Sequence, residues 1–203
     1  MTNAKEVKMV RSGNRVDVQK IVGTAALTAI VIVLQLLGSF IRFGPFSISL
    51  VLIPIVVGAA MYGVVVGGWL GFVFGLTVLL SGDAALFLSV NAPGTILVVL
   101  LKGTLAGLCA GLVYAALKNV NRWLAVIIAA VVCPVVNTGI FLLGCRMFFM
   151  DTINGWAEAA GFTNVGSYMI LGLVGVNFII ELVVNVVLSP VVVRLIALAK
   201  RGD

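Results

Sequence analysis

The chain has 203 residues, of which 62% are hydrophobic and 10% charged, and its net charge is +6. A soluble domain carries about 25% charged residues, so this composition excludes a soluble globular protein. The sequence contains no histidine, which removes the commonest general base and metal ligand. Most hydrolase and metalloprotein classes are therefore disfavoured, and we expect no catalytic residues, no metal site and no cofactor in this chain.

Six apolar segments follow one another along the chain, and about 20 apolar residues are needed for each membrane crossing. We place the crossings at residues 21–40, 47–62, 64–80, 95–117, 123–149 and 168–198. The boundary between the second and third crossings rests on Gly63, Gly67 and Gly68 alone. The predicted fold is an all-α integral membrane protein, a six-helix bundle over residues 21–198 with a basic segment 1–20 and a tail 199–203.

Ten of the thirteen basic residues lie at the two ends of the chain and in the turn between the fourth and fifth crossings. They are Lys5, Lys8, Arg11, Arg15, Lys20, Lys118, Arg122, Arg194, Lys200 and Arg201. Cytoplasmic segments of membrane proteins carry an excess of Lys and Arg, and six crossings return the chain to its starting side. We therefore predict that both termini are cytoplasmic, and the positive charge needs no nucleic-acid partner to explain it.

Glycine recurs every four residues in two of the predicted helices. The two series are Gly67, Gly71 and Gly75 in the third crossing and Gly103, Gly107 and Gly111 in the fourth. Four-residue spacing places each series on one helix face, where small residues let another backbone approach closely. We expect these glycines to pack helices within the bundle.

Ionisable and amide side chains interrupt the last three crossings. Asn177, Glu181 and Asn185 follow at i, i+4 and i+8 and share one helix face. Lys102 and Asn137 lie in the fourth and fifth crossings. An ionised residue at the bilayer centre costs at least about 2.5–3.5 kcal/mol on insertion scales, so each one calls for a reason.

Depth along the helices suggests that these groups meet. At 1.5 Å per residue, Lys102, Asn137, Asn177 and Glu181 lie within about 9 Å of each other in depth, in the outer half of the membrane. If the three helices are neighbours, the four side chains line an outward-facing cavity, which is how a small-molecule site is built. The alternative is structural: Lys102 and Glu181 form an internal ion pair and the asparagines bond between helices.

The loop at residues 81–94 is too polar to cross the membrane and apolar enough to fold over a cavity. Asn91 is a candidate ligand-binding residue in this loop. Trp69, Phe87 and Trp156 are candidates to stack on a planar ligand, although aromatic residues at these depths are also common interface anchors. The sequence has no G-x-x-x-x-G-K-[ST] motif, so we expect no ATP hydrolysis by this chain.

Three consecutive segments resemble the substrate-binding S components of energy-coupling factor (ECF) vitamin transporters. They are SISLVLIPIVVGAAMYG at residues 47–63, the Gly67/Gly71/Gly75 series and the loop that follows it. The segment that begins at Lys102 and the Asn137, Asn177 and Glu181 positions are similar to the same family. The likeness covers about residues 20–198 and is closer to the riboflavin and pantothenate branch than to the thiamin type.

This resemblance implies a subunit of an ABC importer in the prokaryotic plasma membrane that captures a vitamin from outside, with riboflavin favoured and pantothenate next. The implied partners are a transmembrane coupling subunit and two cytoplasmic ATPases, which use the ATP. The family docks through a small-x-x-x-small face on its first helix, which here would be Ala25 and Ala29. The register Ala26 with Ile30 is an alternative.

Two other functions stay open at this level. One is a self-sufficient secondary transporter in which Glu181 binds a proton or an ion. The other is a membrane scaffold subunit without a ligand, in which Glu181 and Lys102 are simply paired. Lys102 and Arg146 would suit a carboxylate such as pantothenate, whereas asparagines and aromatic rings would suit an isoalloxazine ring.

Overall fold

The computed structural model describes residues 4–40, 42–43, 46–47 and 50–199. The predicted tail therefore lies outside the described residues except for Ala199. Within these ranges the chain is almost wholly helical. The helices are α1 (Ala4–Gly38), α2 (Leu52–Tyr62), α3 (Val64–Leu80), α4 (Ala85–Leu88), α5 (Ala92–Leu117), α6 (Arg122–Phe148), α7 (Met150–Ala159), α8 (Val165–Ser167) and α9 (Val176–Ala199), and a π-helical segment (Tyr168–Gly175) precedes α9.

Four helical stretches among the described residues are long and apolar enough to span a membrane: Val18–Gly38, Ala92–Leu117, Arg122–Phe148 and Val165–Arg194. Large apolar side chains such as Val65, Leu80 and Ile179 are exposed on the outside of the bundle. A monomer in water rarely exposes apolar surface on this scale, whereas lipid covers it without cost. The all-helical membrane fold expected from the composition is confirmed.

The second predicted crossing differs from the structure. We expected a span over residues 47–62, but α2 begins only at Leu52 and has 11 residues, which amounts to about 17 Å at 1.5 Å per residue. Before it, β1 (Arg42–Phe43) and β2 (Phe46–Ser47) form a two-stranded antiparallel hairpin. Helix α2 is therefore too short to cross a hydrocarbon core of about 30 Å alone.

Gly63 separates α2 from α3, as the glycine pattern predicted. Its φ angle is +104°, a conformation that residues with a side chain rarely adopt. The break is sharp, because α3 begins at the next residue. The chain therefore reverses its course within the bundle without a loop.

The two glycine series pack against each other, which confirms their predicted role within the bundle. A Cβ atom on Gly71 would overlap the backbone oxygen of Gly103, and one on Gly67 would lie 2.6 Å from the backbone oxygen of Gly107. A Cβ atom on Gly75 would lie 2.8 Å from the backbone oxygen of Val99. The register is that of two antiparallel helices, α3 and α5, in backbone contact.

Two segments predicted as loops contain helices. Residues 81–94 include α4, and residues 150–167, between the fifth and sixth predicted crossings, include α7, whose Ile153 and Ala157 are buried. The last predicted crossing is also less regular than expected, since it opens with a π-helical turn before α9. Short helices with one buried face are hard to predict from this sequence, because apolar residues are so frequent along the chain that a buried face does not stand out.

Candidate functional site

A cavity of about 90 Å³ lies inside the bundle, beneath α4. Its walls come from α1, α3, α5, α6, the π-helical segment and α9, and the chain between α3 and α4 closes one side. The polar residues that line it are Gln35, Asp83, Thr95, Lys102, Asn137, Thr138, Asn177 and Glu181. The aromatic residues that line it are Phe74, Phe87, Phe141, Phe149 and Phe178.

Four of the five candidate ligand-binding residues meet in this cavity. Lys102 reaches it from α5, Asn137 from α6, and Asn177 and Glu181 from α9. The helices that carry them are neighbours, because α6 packs against both α5 and α9. The depth comparison along the predicted helices therefore identified four side chains that line one cavity, and their role in ligand binding stays a prediction.

Asn91, the fifth candidate, has a different position. Its side-chain oxygen accepts a hydrogen bond of 2.9 Å from the backbone N–H of Gly94, so it caps the N-terminus of α5. Asparagine is a preferred N-cap residue because its side chain satisfies one of the free N–H groups at a helix start. Asn91 is not among the residues that line the cavity.

Lys102 lies between aromatic rings and carboxylates. Its Nζ atom is 5.3 Å from the centroid of the Phe141 ring and 5.8 Å from that of Phe74, within the range of a cation–π interaction. The carboxylates of Glu181 and Asp83 both exert an electrostatic attraction on its ammonium group. The ammonium group therefore lies near the faces of two aromatic rings, in a cavity that Glu181 and Asp83 also line.

Two amide oxygens of the cavity lining have no hydrogen-bond partner among the described residues. They are Oδ1 of Asn137 and Oδ1 of Asn177, and the exposed fractions of these residues are only 5% and 9%. A buried acceptor without a partner costs roughly 1–3 kcal/mol, and most such groups in native proteins are satisfied. Their position on the cavity wall makes them available to a bound molecule.

Asn185 continues the polar face of α9 one turn further. Its Nδ2 atom donates to the backbone oxygen of Glu181 at 2.7 Å, while its Oδ1 atom has no partner among the described residues. Asn185 is buried but does not line the cavity. It therefore differs from Asn177 in position rather than in chemistry.

Aromatic side chains of α4, α6, α7 and the α6–α7 junction form a cluster beside the cavity. The ring of Phe87 makes edge-to-face contacts with Phe141, Phe149 and Trp156, at centroid distances of 5.5, 5.0 and 5.6 Å. Edge-to-face pairs add about 0.5–1.5 kcal/mol each beyond the area they bury. Phe87 and Trp156 were expected near the site from the sequence, whereas the lining role of Phe149 was not.

Gln35 and Asp83 are lining residues that the sequence did not single out for the site. Gln35 lies on α1, which the sequence assigned to partner docking, and its exposed fraction is 2%. Asp83 lies between α3 and α4, in the loop predicted at residues 81–94. A glutamine buried in an otherwise apolar membrane helix is a signal that could have identified the first of them.

Trp69 and the predicted docking face lie elsewhere on the surface. The Nε1 atom of Trp69 donates to Oγ1 of Thr28 at 3.2 Å, which places this tryptophan beside α1 and away from the cavity. Ala25 and Ala29 are exposed on α1. Ala25, Thr28 and Trp69 belong to a shallow groove on that side.

The fold is that of a multi-pass membrane protein with a cavity among its helices that several polar side chains line. Residues 19–193 match the family described as "ECF transporter, substrate-specific component". The chain belongs to this family, which makes it a transport protein of the membrane and not an enzyme. No curated protein and no solved structure matches the chain.

Proposed function

We propose that this chain captures a vitamin or a similar micronutrient in the cavity between α5, α6 and α9 and hands it to an ECF coupling module. The observation that carries the proposal is a buried cavity whose wall holds two amide oxygens without partners among the described residues, those of Asn137 and Asn177. In a membrane bundle such groups are expensive. A ligand with hydrogen-bond donors offsets that cost when it binds.

The residues proposed to hold the ligand are Lys102, Asn137, Asn177 and Glu181. The proposal is supported by their convergence on one cavity and by its aromatic walls, which follow the usual construction of small-molecule sites: apolar walls with a few placed polar groups. Asn91 supports the site indirectly, since it fixes the start of α5, the helix that carries Lys102.

A vitamin needs more space than the cavity has in this structure, so the bundle is proposed to widen when the ligand enters. An apolar cavity of about 150 Å³ is known to hold benzene, and this cavity measures about 90 Å³. Both vitamins named from the sequence, riboflavin and pantothenate, exceed that size. The volume gives no preference between them, and a yellow preparation would be the simplest sign of a bound flavin.

Transport is proposed to need a coupling subunit and two cytoplasmic ATPases, with docking through the α1 face at Ala25 and Ala29. Their exposure supports this assignment, because small exposed residues let another membrane helix approach closely. The same exposure holds for Ala26 and Ile30, so the alternative register remains for mutagenesis to decide.

Reconstituted uptake tests the function. Uptake of the compound that copurifies with the chain is compared between two kinds of liposome. One contains this chain alone, and the other contains this chain plus an ECF coupling module. ATP-dependent uptake only with the module is expected. If the chain alone takes up the compound in response to an ion gradient, and Glu181→Gln abolishes that uptake, the result would instead support the secondary transporter. Absence of any bound compound would support the scaffold subunit.

A further inference from the structure

The groove beside Trp69 runs along the outside of the bundle, on the surface of α1. It extends from Lys20 to Thr28, which is about 12 Å at 1.5 Å per residue. We call it the α1 groove, and its lining residues are Lys20, Ile21, Thr24, Ala25, Thr28 and Trp69. Of these six described residues, Lys20 alone carries a charge, and it lies at one end of the groove.

The charged end of the α1 groove coincides with the basic end of the bundle. The Tyr62 hydroxyl lies against Gly23 of α1, and Val64 lies against Gly111 of α5. The turn between α2 and α3 is therefore level with these two glycines, and the chain before Gly23 and the chain after Gly111 both continue beyond it. Exposed basic residues at this end are Lys20, Lys118 and Arg122. Residues 1–20 add to the excess, since they include five basic and two acidic residues.

The other end of the α1 groove offers apolar surface. Nε1 of Trp69 donates to Oγ1 of Thr28 at 3.2 Å, and this hydroxyl donates to the backbone oxygen of Thr24 at 2.8 Å. Tryptophan commonly lies at the membrane interface, with its N–H on the polar side. Here the N–H is used within the protein while 49% of the side chain is exposed, so the ring presents hydrocarbon surface to the groove.

Thr24 lies between the two ends. It follows Lys20 by four residues, or about 6 Å along the helix, and its Oγ1 atom has no hydrogen-bond partner among the described residues. After a rotation about χ1 this hydroxyl can donate to an acceptor in the groove. The order along the groove is therefore a cation, a hydroxyl donor and an apolar surface. A phospholipid has the complementary order: a phosphate, ester carbonyls and an acyl chain.

From this order we propose that the α1 groove binds an anionic phospholipid of the leaflet at the basic end of the bundle. Lys20 contacts the phosphate, and Thr24 donates to an ester carbonyl. The acyl chain lies over Ala25 and the exposed part of the Trp69 ring. Basic residues near a membrane surface attract anionic lipids, whereas the cationic headgroup of a zwitterionic lipid is repelled by the same charges.

Ala25 belongs both to the α1 groove and to the proposed docking face. A lipid in the groove has to leave before a partner helix packs on this alanine. This consequence rests on the proposed function, whereas the lipid site is tested on the isolated chain without a coupling module. Failure of the lipid site therefore leaves the docking proposal standing.

Fluorescence of Trp69 tests the proposal, because brominated acyl chains quench a tryptophan that they contact. The full-length chain with Trp123→Phe and Trp156→Phe keeps Trp69 as its single tryptophan. It is reconstituted in vesicles of equimolar phosphatidylglycerol and phosphatidylcholine, in which either one lipid or the other is brominated. We expect phosphatidylglycerol to be preferred beside Trp69 by about five-fold, the scale of one basic residue near the surface.

Two lysine variants test whether the preference comes from the groove. Lys20→Gln removes the cation of the groove, and Lys118→Gln removes an exposed cation at the same end of the bundle that does not line it. The preference should fall to about one-fold in the first variant and stay near five-fold in the second. The midpoint of thermal unfolding, Tm, of each variant shows whether the substitutions preserve the fold.

Native mass spectrometry of the chain with its natural tryptophans gives a second measurement. Phosphatidylglycerol adducts should persist in the chain and in Lys118→Gln and be lost from Lys20→Gln. Equal loss in both lysine variants would assign the preference to general attraction by the basic end and overturn the proposal. Equal quenching by both lipids, or no quenching by either, would also overturn it. Dimers of the chain without lipid adducts would assign the groove to a second copy instead.

Discussion

The side-chain amide of Gln35 donates a hydrogen bond of 2.7 Å from Nε2 to Oδ2 of Asp83. Gln35 belongs to α1, the helix that also exposes Ala25 and Ala29, and Asp83 belongs to the segment between α3 and α4 that closes the cavity. The contact therefore joins the proposed docking helix to the cover of the proposed binding site. Hydrogen bonds to charged groups contribute about 1.5–3 kcal/mol.

Replacement of Gln35 by leucine should release the segment that carries Asp83 and Phe87. We expect ligand affinity to fall by roughly 1–2 kcal/mol, mainly through faster dissociation, because the cover opens more readily. Dissociation rates of the copurified compound measure the effect. The matched control is Gln19→Leu, which replaces an exposed glutamine on the same helix and should leave the dissociation rate unchanged. Equal dissociation rates in the two variants would contradict a role for the contact between Gln35 and Asp83.

Asn177→Ala and Glu181→Gln should each weaken ligand binding by at least about 1 kcal/mol, which is the scale of a lost buried hydrogen bond. Both side chains line the cavity, while Asn185 on the same face of α9 does not. Calorimetric titration of the ligand into the variants measures the change, and Asn185→Leu serves as the control. Unchanged affinity with reduced stability would favour the purely structural interpretation of these residues.

Ala25→Trp or Ala29→Trp should abolish uptake and spare ligand binding. The two alanines are exposed on α1, and a tryptophan there prevents close approach of a partner helix. Uptake by cells or proteoliposomes is compared with ligand binding by the isolated variant. Ala26→Trp tests the alternative register, and Ala115→Trp, at an exposed position on α5, controls for the bulk of the added ring. Loss of binding in the isolated Ala25 and Ala29 variants would argue against docking.

Gly71→Ala should lower Tm, since an added Cβ would overlap the Gly103 backbone oxygen. Overpacking of this kind costs about 1–3 kcal/mol. Gly139→Ala on α6 is the control, because a Cβ atom at this position would have no side chain or neighbouring helix of the described residues within 4 Å. Alanine also favours helix over glycine by roughly 0.5–1 kcal/mol. Similar Tm values for the two variants would show that the α3–α5 contact tolerates separation.

Much of this arrangement was predictable from the sequence because lipid makes polar residues costly. Lys102, Asn137, Asn177 and Glu181 stood out against apolar helices, and a rise of 1.5 Å per residue placed them at similar depth. The four-residue glycine spacing likewise indicated close packing of α3 and α5. The rise per residue predicted the first arrangement and the residues per turn predicted the second, and both are fixed by the geometry of the α-helix.

Other features depended on contacts that no local pattern encodes. The lining roles of Gln35 and Asp83 arise from a contact between residues 48 positions apart. Asn91 resembled a ligand-binding residue because capping and binding use the same amide chemistry. The π-helical turn before α9 changes the helical register just ahead of Asn177, and hydropathy is insensitive to such a change.

The most direct test is mass spectrometry of the small molecules that remain bound after gentle purification. The account predicts one compound that is retained by the natural chain and by Asn185→Leu and lost from Asn177→Leu, because Asn177 lines the cavity and Asn185 does not. Two results would contradict a substrate site at this cavity: equal retention of the same compound by all three proteins, or no retained compound in any of them.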